Sequence, residues 1–163
     1  MLKLSKKVDY ALMALMHLAQ QEGSCSTREM AAGYGMPQDL LAKILQKLAR
    51  EGLVVSHQGT KGGYQLRRAA DAITVVQVIE IVEGPLSLTQ CQTDVGACDQ
   101  FDTCNIKSPL QRLNDHVLLT LSRVTIASMC DEDFEFLPAV NTVNTVDTTN
   151  QEAELPQLPV IQS

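Results

Sequence analysis

Tryptophan is absent from this chain of 163 residues, and three tyrosines and three phenylalanines bring its aromatic content to 4%. Proteins that hold single-stranded nucleic acid stack successive bases on aromatic rings, so this scarcity points away from such a partner. No apolar run reaches the roughly 18 residues a membrane span needs, and no charged-then-apolar leader with a small-residue cleavage site is present. A cytoplasmic chain without membrane contact is expected. No nucleophile stands at a spacing that pairs it with a base, and no phosphate-cradling glycine loop carries its lysine. An enzyme is therefore not expected.

What is present is a chain with 45% hydrophobic residues, long enough for one buried core with an appended element. Its net charge of −6 is unevenly spread. Residues 1–70 carry 10 Lys+Arg against 5 Asp+Glu, residues 71–123 carry 3 against 7, and residues 124–163 carry no base and 7 acids. A basic front half and an acidic rear fit phosphate contacts made by the front half alone.

The pattern along the front half is helical. In "KKVDYALMALMHLAQQEG" the residues Val8, Leu12, Leu15 and Leu18 or Ala19 recur at helical spacing, with Gly23 as the stop. "STREMAAGYG" offers Ser26 or Thr27 as N-cap and Glu29 as its capping partner, and closes at Gly33 and Gly35. "MPQDLLAKILQKLAREG" places Pro37 at the start, Leu40, Leu41, Ile44, Leu45 and Leu48 on one face, and Gly52 at the end. Two adjacent helices could be a plain hairpin, but "GLVVSHQGTKGGYQLRR" then holds two strand-like runs, Leu53 to His57 and Tyr64 to Leu66. They flank a glycine loop around Lys61, which reads as a basic wing.

A helix-turn-helix followed by a basic wing predicts a winged-helix binder of double-stranded DNA over residues 1–70. The exposed face of the second helix enters the major groove, which makes Gln38, Asp39, Lys43 and Lys47 the candidate readers and positioners. Arg28, at the N-terminus of the preceding helix, is a candidate backbone contact. Gln58, Thr60 and Lys61 supply donors and charge from the wing.

Residues 71–135 form the second region. "ITVVQVIEIVEGP" reads as an amphipathic helix with Thr74 as N-cap and Gly84-Pro85 as its end. "SPLQRLNDHVLLTLSRV" opens with Ser108 as cap and sets Leu110, Leu113, Val117, Leu121 and Val124 along a narrow stripe. Such a stripe either packs on the chain's own core or forms a dimer seam, and the reading of palindromic half-sites favours the dimer. From Phe136 the chain is rich in Thr, Asn and Pro without amphipathic period, so 136–163 reads as a disordered acidic tail. The fold class expected is mainly α with a small β-wing: a winged helix-turn-helix plus a long dimerisation helix.

Between those two helices lies "CQTDVGACDQFDTC", three of the chain's five cysteines in the pattern Cys91-x6-Cys98-x5-Cys104. In a reducing compartment clustered thiols serve as metal ligands or redox centres more often than as disulfides. Structural zinc usually pairs its cysteines at closer spacing, whereas the ligands of an iron–sulfur cluster reach around several atoms. Spacing alone leaves a cluster, a zinc ion and a thiol switch open. Cys25 and Cys130 stand outside this pattern and read as ordinary thiols.

"LSKKVDYALMALMHLA", "GTKGGYQL", "ITVVQVIEIVEGPLSLTQC" and the three-cysteine loop together resemble the bacterial Rrf-type winged-helix regulators, which include IscR- and NsrR-like proteins, over residues 1–130. "SHQGTKGGYQL" and "EGPLSLTQC" look most like the proteobacterial regulator of the SUF cluster-assembly operon. The resemblance implies a homodimer that binds a palindromic promoter site and represses transcription. It also implies one iron–sulfur cluster per subunit, 2Fe–2S or 4Fe–4S, on Cys91, Cys98 and Cys104, with DNA affinity set by cluster state. Nitric oxide or redox stress is the alternative signal. The IscR pattern has a histidine ligand where this chain has Lys107, which offers no lone pair while protonated. The NsrR pattern uses an acid of the partner's first helix, which Asp9 matches; His116, Asp99 and Asp102 are further oxygen or nitrogen donors. Ala42 stands where IscR carries a recognition-helix glutamate, and Gln58 where it carries a wing arginine.

Overall fold

The computed structural model describes residues 4–59, 62–88, 100 and 103–134. The core is built around α1 (Lys6–Gln20), in which Val8, Ala11, Leu12, Ala14, Leu15 and Leu18 are all buried. The fully enclosed alanines at 11 and 14 widen the buried sector beyond a single stripe and let neighbours come close on more than one side. Three later helices and one strand of the wing accordingly pack on α1.

The helix-turn-helix arises from local chemistry. α2 (Thr27–Tyr34) is started by Ser26, whose hydroxyl accepts from the Glu29 amide while the Glu29 carboxylate accepts from the Ser26 amide. It stops at Gly35, which has φ +63° and donates its amide to the Ala31 carbonyl. After Pro37, α3 (Gln38–Arg50) buries Leu41, Ile44, Leu45 and Leu48, while Leu40 remains half-exposed. Gly52, at φ +74°, turns the chain into the wing.

The wing is an antiparallel pair, β1 (Val54–His57) and β2 (Gly63–Leu66), in the register Val54↔Leu66, Val55↔Gln65, Ser56↔Tyr64 and His57↔Gly63. Cys25 pairs with Tyr64 from the far side of β2, with N···O distances of 2.9 and 2.8 Å, so the segment ahead of α2 serves as an additional edge of the wing.

A 3₁₀ turn (Ala70–Ala72) leads to α4 (Val75–Glu83), capped by Thr74 and closed at Gly84 as its sequence predicts, with Gln77 completing a capping box not expected from the sequence. The long helix α5 (Lys107–Arg123) differs from expectation at both ends. Its N-cap is Ile106, without a side-chain bond, so Ser108 lies inside the first turn and is not the cap. The backbone supplies the start instead, through Thr103 N to the Gln100 carbonyl and Leu110 N to the Ile106 carbonyl. At the other end Val124 leaves the predicted seam. It is 5% exposed, its carbonyl accepts from the Val75 amide, and it joins the core beside α1. The short α6 (Ile126–Cys130), capped by Thr125 and Ser128, then packs on α1. Sequence periodicity missed this element, because five residues are too few to display a period. The acidic tail expected over 136–163 lies outside the described residues. The fold is mainly α with a two-stranded wing, and among the described residues no helix is long and apolar enough to cross a membrane.

Candidate nucleic-acid interface and the cysteine segment

The residues expected to meet DNA stand on three successive elements. Arg28 is exposed in the first turn of α2, Gln38 and Asp39 in the first turn of α3, and Lys43 one turn further along. Gln58 is exposed just after β1, followed by Gly59 at φ +120°, a conformation that side-chain-bearing residues rarely adopt. Thr60 and Lys61 lie outside the described residues. A Cβ on Gly62 would press on the His57 carbonyl and the Gly59 backbone, so the closing residue of this loop needs to be glycine.

The charge of the groove beside α3 is one-sided. The groove, of about 410 Å³, is floored by Leu40, Ile44 and Val82 and rimmed by Lys7, Lys43 and Lys47, with no acid in its lining. Lys47 differs from the other two. Its ammonium donates to the Val82 carbonyl of α4 at 3.2 Å, so its charge is directed at a helix end. Ala42 is half-buried.

The cysteine segment is approached from two sides. Cys91 and Cys98, with Asp99 and Asp102, lie outside the described residues. Cys104 is half-buried immediately ahead of α5. On the other side, the Leu88 amide donates to Asn114 Oδ1 of α5 at 3.1 Å, and Asn114, 8% exposed, is the one buried polar side chain among the described residues. Asp9 is in the first turn of α1, its carboxylate 3.5 Å from Lys6 Nζ and 39% exposed. His116 lines a shallow apolar depression of about 190 Å³ on α5 with Leu113, Val117, Thr120 and Leu121. No three His, Cys, Asp or Glu side chains converge as metal ligands among the described residues. The donor set of the cysteine segment itself, three thiols within fourteen residues, suits a thiophilic cluster.

A further constellation was not legible in the sequence. Cys25 Sγ lies 3.4 Å from His17 Nε2, and His17 Nδ1 lies 3.1 Å from the Tyr34 hydroxyl, with the two rings edge to face at 5.5 Å. Burial, then the Glu29 charge and a bond to its carboxylate, push the Cys25 thiol above its ordinary value. Cys130 is pushed up by burial alone. Cys25 thus joins the end of α1, the cap of α2 and the edge of β2. The sequence signal is weak, since Cys25 stands eight positions after His17, beyond the end of α1.

Known proteins share this fold. Residues 4–132 match the Rrf2 family, described as iron-dependent transcriptional regulators, and the match runs from α1 to just beyond α6. CymR, the global cysteine regulator of B. subtilis, is 29% identical with a TM-score of 0.65, over 80% of this chain and 97% of that one. IscR of T. potens is 30% identical with a TM-score of 0.61, over 78% and 85% of the two chains. CymR of Staphylococcus aureus, in an oxidised form, is 27% identical with a TM-score of 0.61, over 80% and 97%. A helix-turn-helix joined to a glycine wing, an exposed basic face on α3 and a family match across nearly all the described chain lead to one conclusion: this protein belongs to the Rrf2 family of winged-helix transcriptional regulators.

Proposed function

We propose that this regulator senses an iron–sulfur cluster and represses cluster-assembly genes of the SUF type, with DNA affinity set by cluster state. The observation that carries the reading is Cys91-x6-Cys98-x5-Cys104, placed between α4, which packs on the recognition helix, and the long helix α5. The family's description as iron-dependent and the likeness to IscR support it. Cys91, Cys98 and Cys104 would hold the cluster, with the partner subunit's Asp9 as the fourth ligand in place of the histidine that Lys107 replaces. The bound group would supply sensitivity to iron, sulfide and oxidants.

The chain's own residues do the rest. Arg28 and the amides that open α2 hold a phosphate, Gln38, Asp39 and Lys43 face the major groove of a palindromic site, and Gln58, Thr60 and Lys61 bring the wing to the adjacent backbone. Two copies joined through α5 present two recognition helices to the two half-sites.

A second reading is favoured by the likeness to CymR, solved in an oxidised form: a repressor of the same family that responds to oxidants or nitric oxide through its cysteines. Anaerobic purification with visible absorbance, iron and sulfide assays, and binding to its own upstream promoter duplex separates the two. We expect a coloured, sulfide-containing dimer whose promoter affinity changes on loss of iron. Cys98→Ala should lose the visible absorbance and remain a folded dimer. Lys61→Ala should keep it, bind DNA more weakly, and reduce the log–log salt slope by about one. Colourless protein whose affinity changes only on thiol oxidation would overturn the first reading in favour of the second.

A further inference from the structure

We propose that Lys47 is a positioning residue that couples the recognition helix to the cysteine segment, and not a contact to DNA phosphate. This coupling deepens the cluster-sensing function and rests on it. Lys47 stands on α3 among the exposed bases, yet its Nζ donates to the Val82 carbonyl at 3.2 Å. Val82 lies in the last turn of α4, whose final carbonyls have no partner within the helix and carry the negative end of its dipole. An ammonium is suited to that place: it satisfies a backbone acceptor by a charge-assisted bond and offsets the dipole.

The surroundings make this contact more than incidental. Lys47 lines the groove of about 410 Å³ with Lys7, Lys43 and Val82, and also a second groove of about 490 Å³ with Glu51, Arg68 and Glu80. Open space thus flanks it on both sides, and its side chain crosses from α3 to α4 between them. Two carboxylates line the second groove, but among the described residues Lys47 forms no ion pair with either. The ammonium is directed at the helix end.

The path of the chain beyond Val82 gives the contact its consequence. The backbone turns at Gly84, at φ +97°, passes Pro85, and reaches Leu88, whose amide is held by Asn114 Oδ1 in the middle of α5. The stretch from 82 to 88 is therefore held at one end by the recognition helix and at the other by the long helix, and Cys91 comes three residues later. A change in what Cys91, Cys98 and Cys104 hold displaces the end of α4, and Lys47 carries that displacement to α3. Ile44 and Leu48 are buried, so α3 should keep its place in the core with Lys47 removed. DNA binding should survive, and its dependence on the cysteines should not.

The experiment compares full-length wild type, Lys47→Met, Lys47→Arg and Lys43→Met, each prepared anaerobically and then stripped of iron with a chelator. Affinity for the upstream promoter duplex is measured against salt in both states, with amide hydrogen exchange as a second readout. For Lys47→Met we expect the affinity ratio between the states to fall to within about twofold of one, the salt slope to remain that of wild type, and exchange to quicken at residues 84–88. Lys47→Arg should restore the ratio. Lys43→Met should keep the ratio and lower the slope by about one. A Lys47→Met protein that keeps the full ratio would overturn the coupling role alone. So would one that loses about one unit of slope and weakens equally in both states, which would make Lys47 a phosphate contact. Wild type with equal affinity in both states would overturn the cysteine-sensing reading and the coupling with it.

Discussion

Cys25 shows how a single side chain can be governed by neighbours remote from its own motif. Its thiol faces the His17 imidazole, while burial and the Glu29 carboxylate hold the proton on sulfur. Neutralising that carboxylate removes two of the causes that disfavour the thiolate. Glu29→Gln should therefore raise the rate of Cys25 alkylation by iodoacetamide in mildly alkaline buffer several-fold, read by mass spectrometry, while glutamine still serves the capping box. An unchanged rate would assign the protection to burial alone. Glu29 itself has its carboxyl lowered by its bonds to Ser26. A group depressed in the folded state stabilises it above the unfolded value, and that contribution disappears as the pH falls through the folded one. Thermal melts should thus show the cap of α2 weakening only below the ordinary glutamate range, not near neutrality.

The wing is the element whose geometry depends most on one missing side chain. A Cβ on Gly63 would collide with the Cys25 carbonyl, the group that accepts from the Tyr64 amide. Gly63→Ala must push β2 away from the segment ahead of α2, at a cost of about 1–3 kcal/mol for forced overpacking. We expect a lower melting temperature and weaker promoter binding, with far-ultraviolet dichroism little changed because the helices do not depend on that contact. Retention of wild-type affinity would show that the wing tolerates the shift. The strand pair of this hairpin, the caps at Ser26 and Thr74 and the buried face of α3 were legible in the sequence, since each arises from residues within a turn or a hairpin of one another, whereas the register of the pair and the Gln77 partner of Thr74 emerge only in the folded chain. Ser108 failed as a cap because the turn ahead of α5 sets the start of that helix, and serine two residues late has no orphan amide left to serve.

At the largest scale, α5 leaves apolar surface without cover. Leu113 and Leu119 are 53% and 50% exposed, and Ile106, at its N-cap, is 56% exposed. A second copy laid along the face that carries Ile106 and Leu113 would bury these two, in keeping with the expected dimer. Leu113→Lys should weaken dimerisation at least roughly tenfold by sedimentation velocity, and promoter affinity should fall with it, since two half-sites are then read by separate chains. The core around α1 should melt as before, because Leu113 takes no part in it. A Leu113→Lys protein that stays dimeric would place the seam elsewhere.

The helical periods, the caps, the glycine turns, the basic wing and the spacing of the three clustered cysteines are all readable from the order of residues, because each is written in positions close along the chain. Which distant groups meet is settled only once the chain has folded. His17 faces Cys25, Lys47 reaches Val82 across 35 positions, Asn114 holds Leu88, and Val124 leaves the seam for the core. Those pairings depend on how helices cross and how far each is rotated about its axis. Packing of the assembled core sets these quantities, and the spacing of residues along one helix does not contain them.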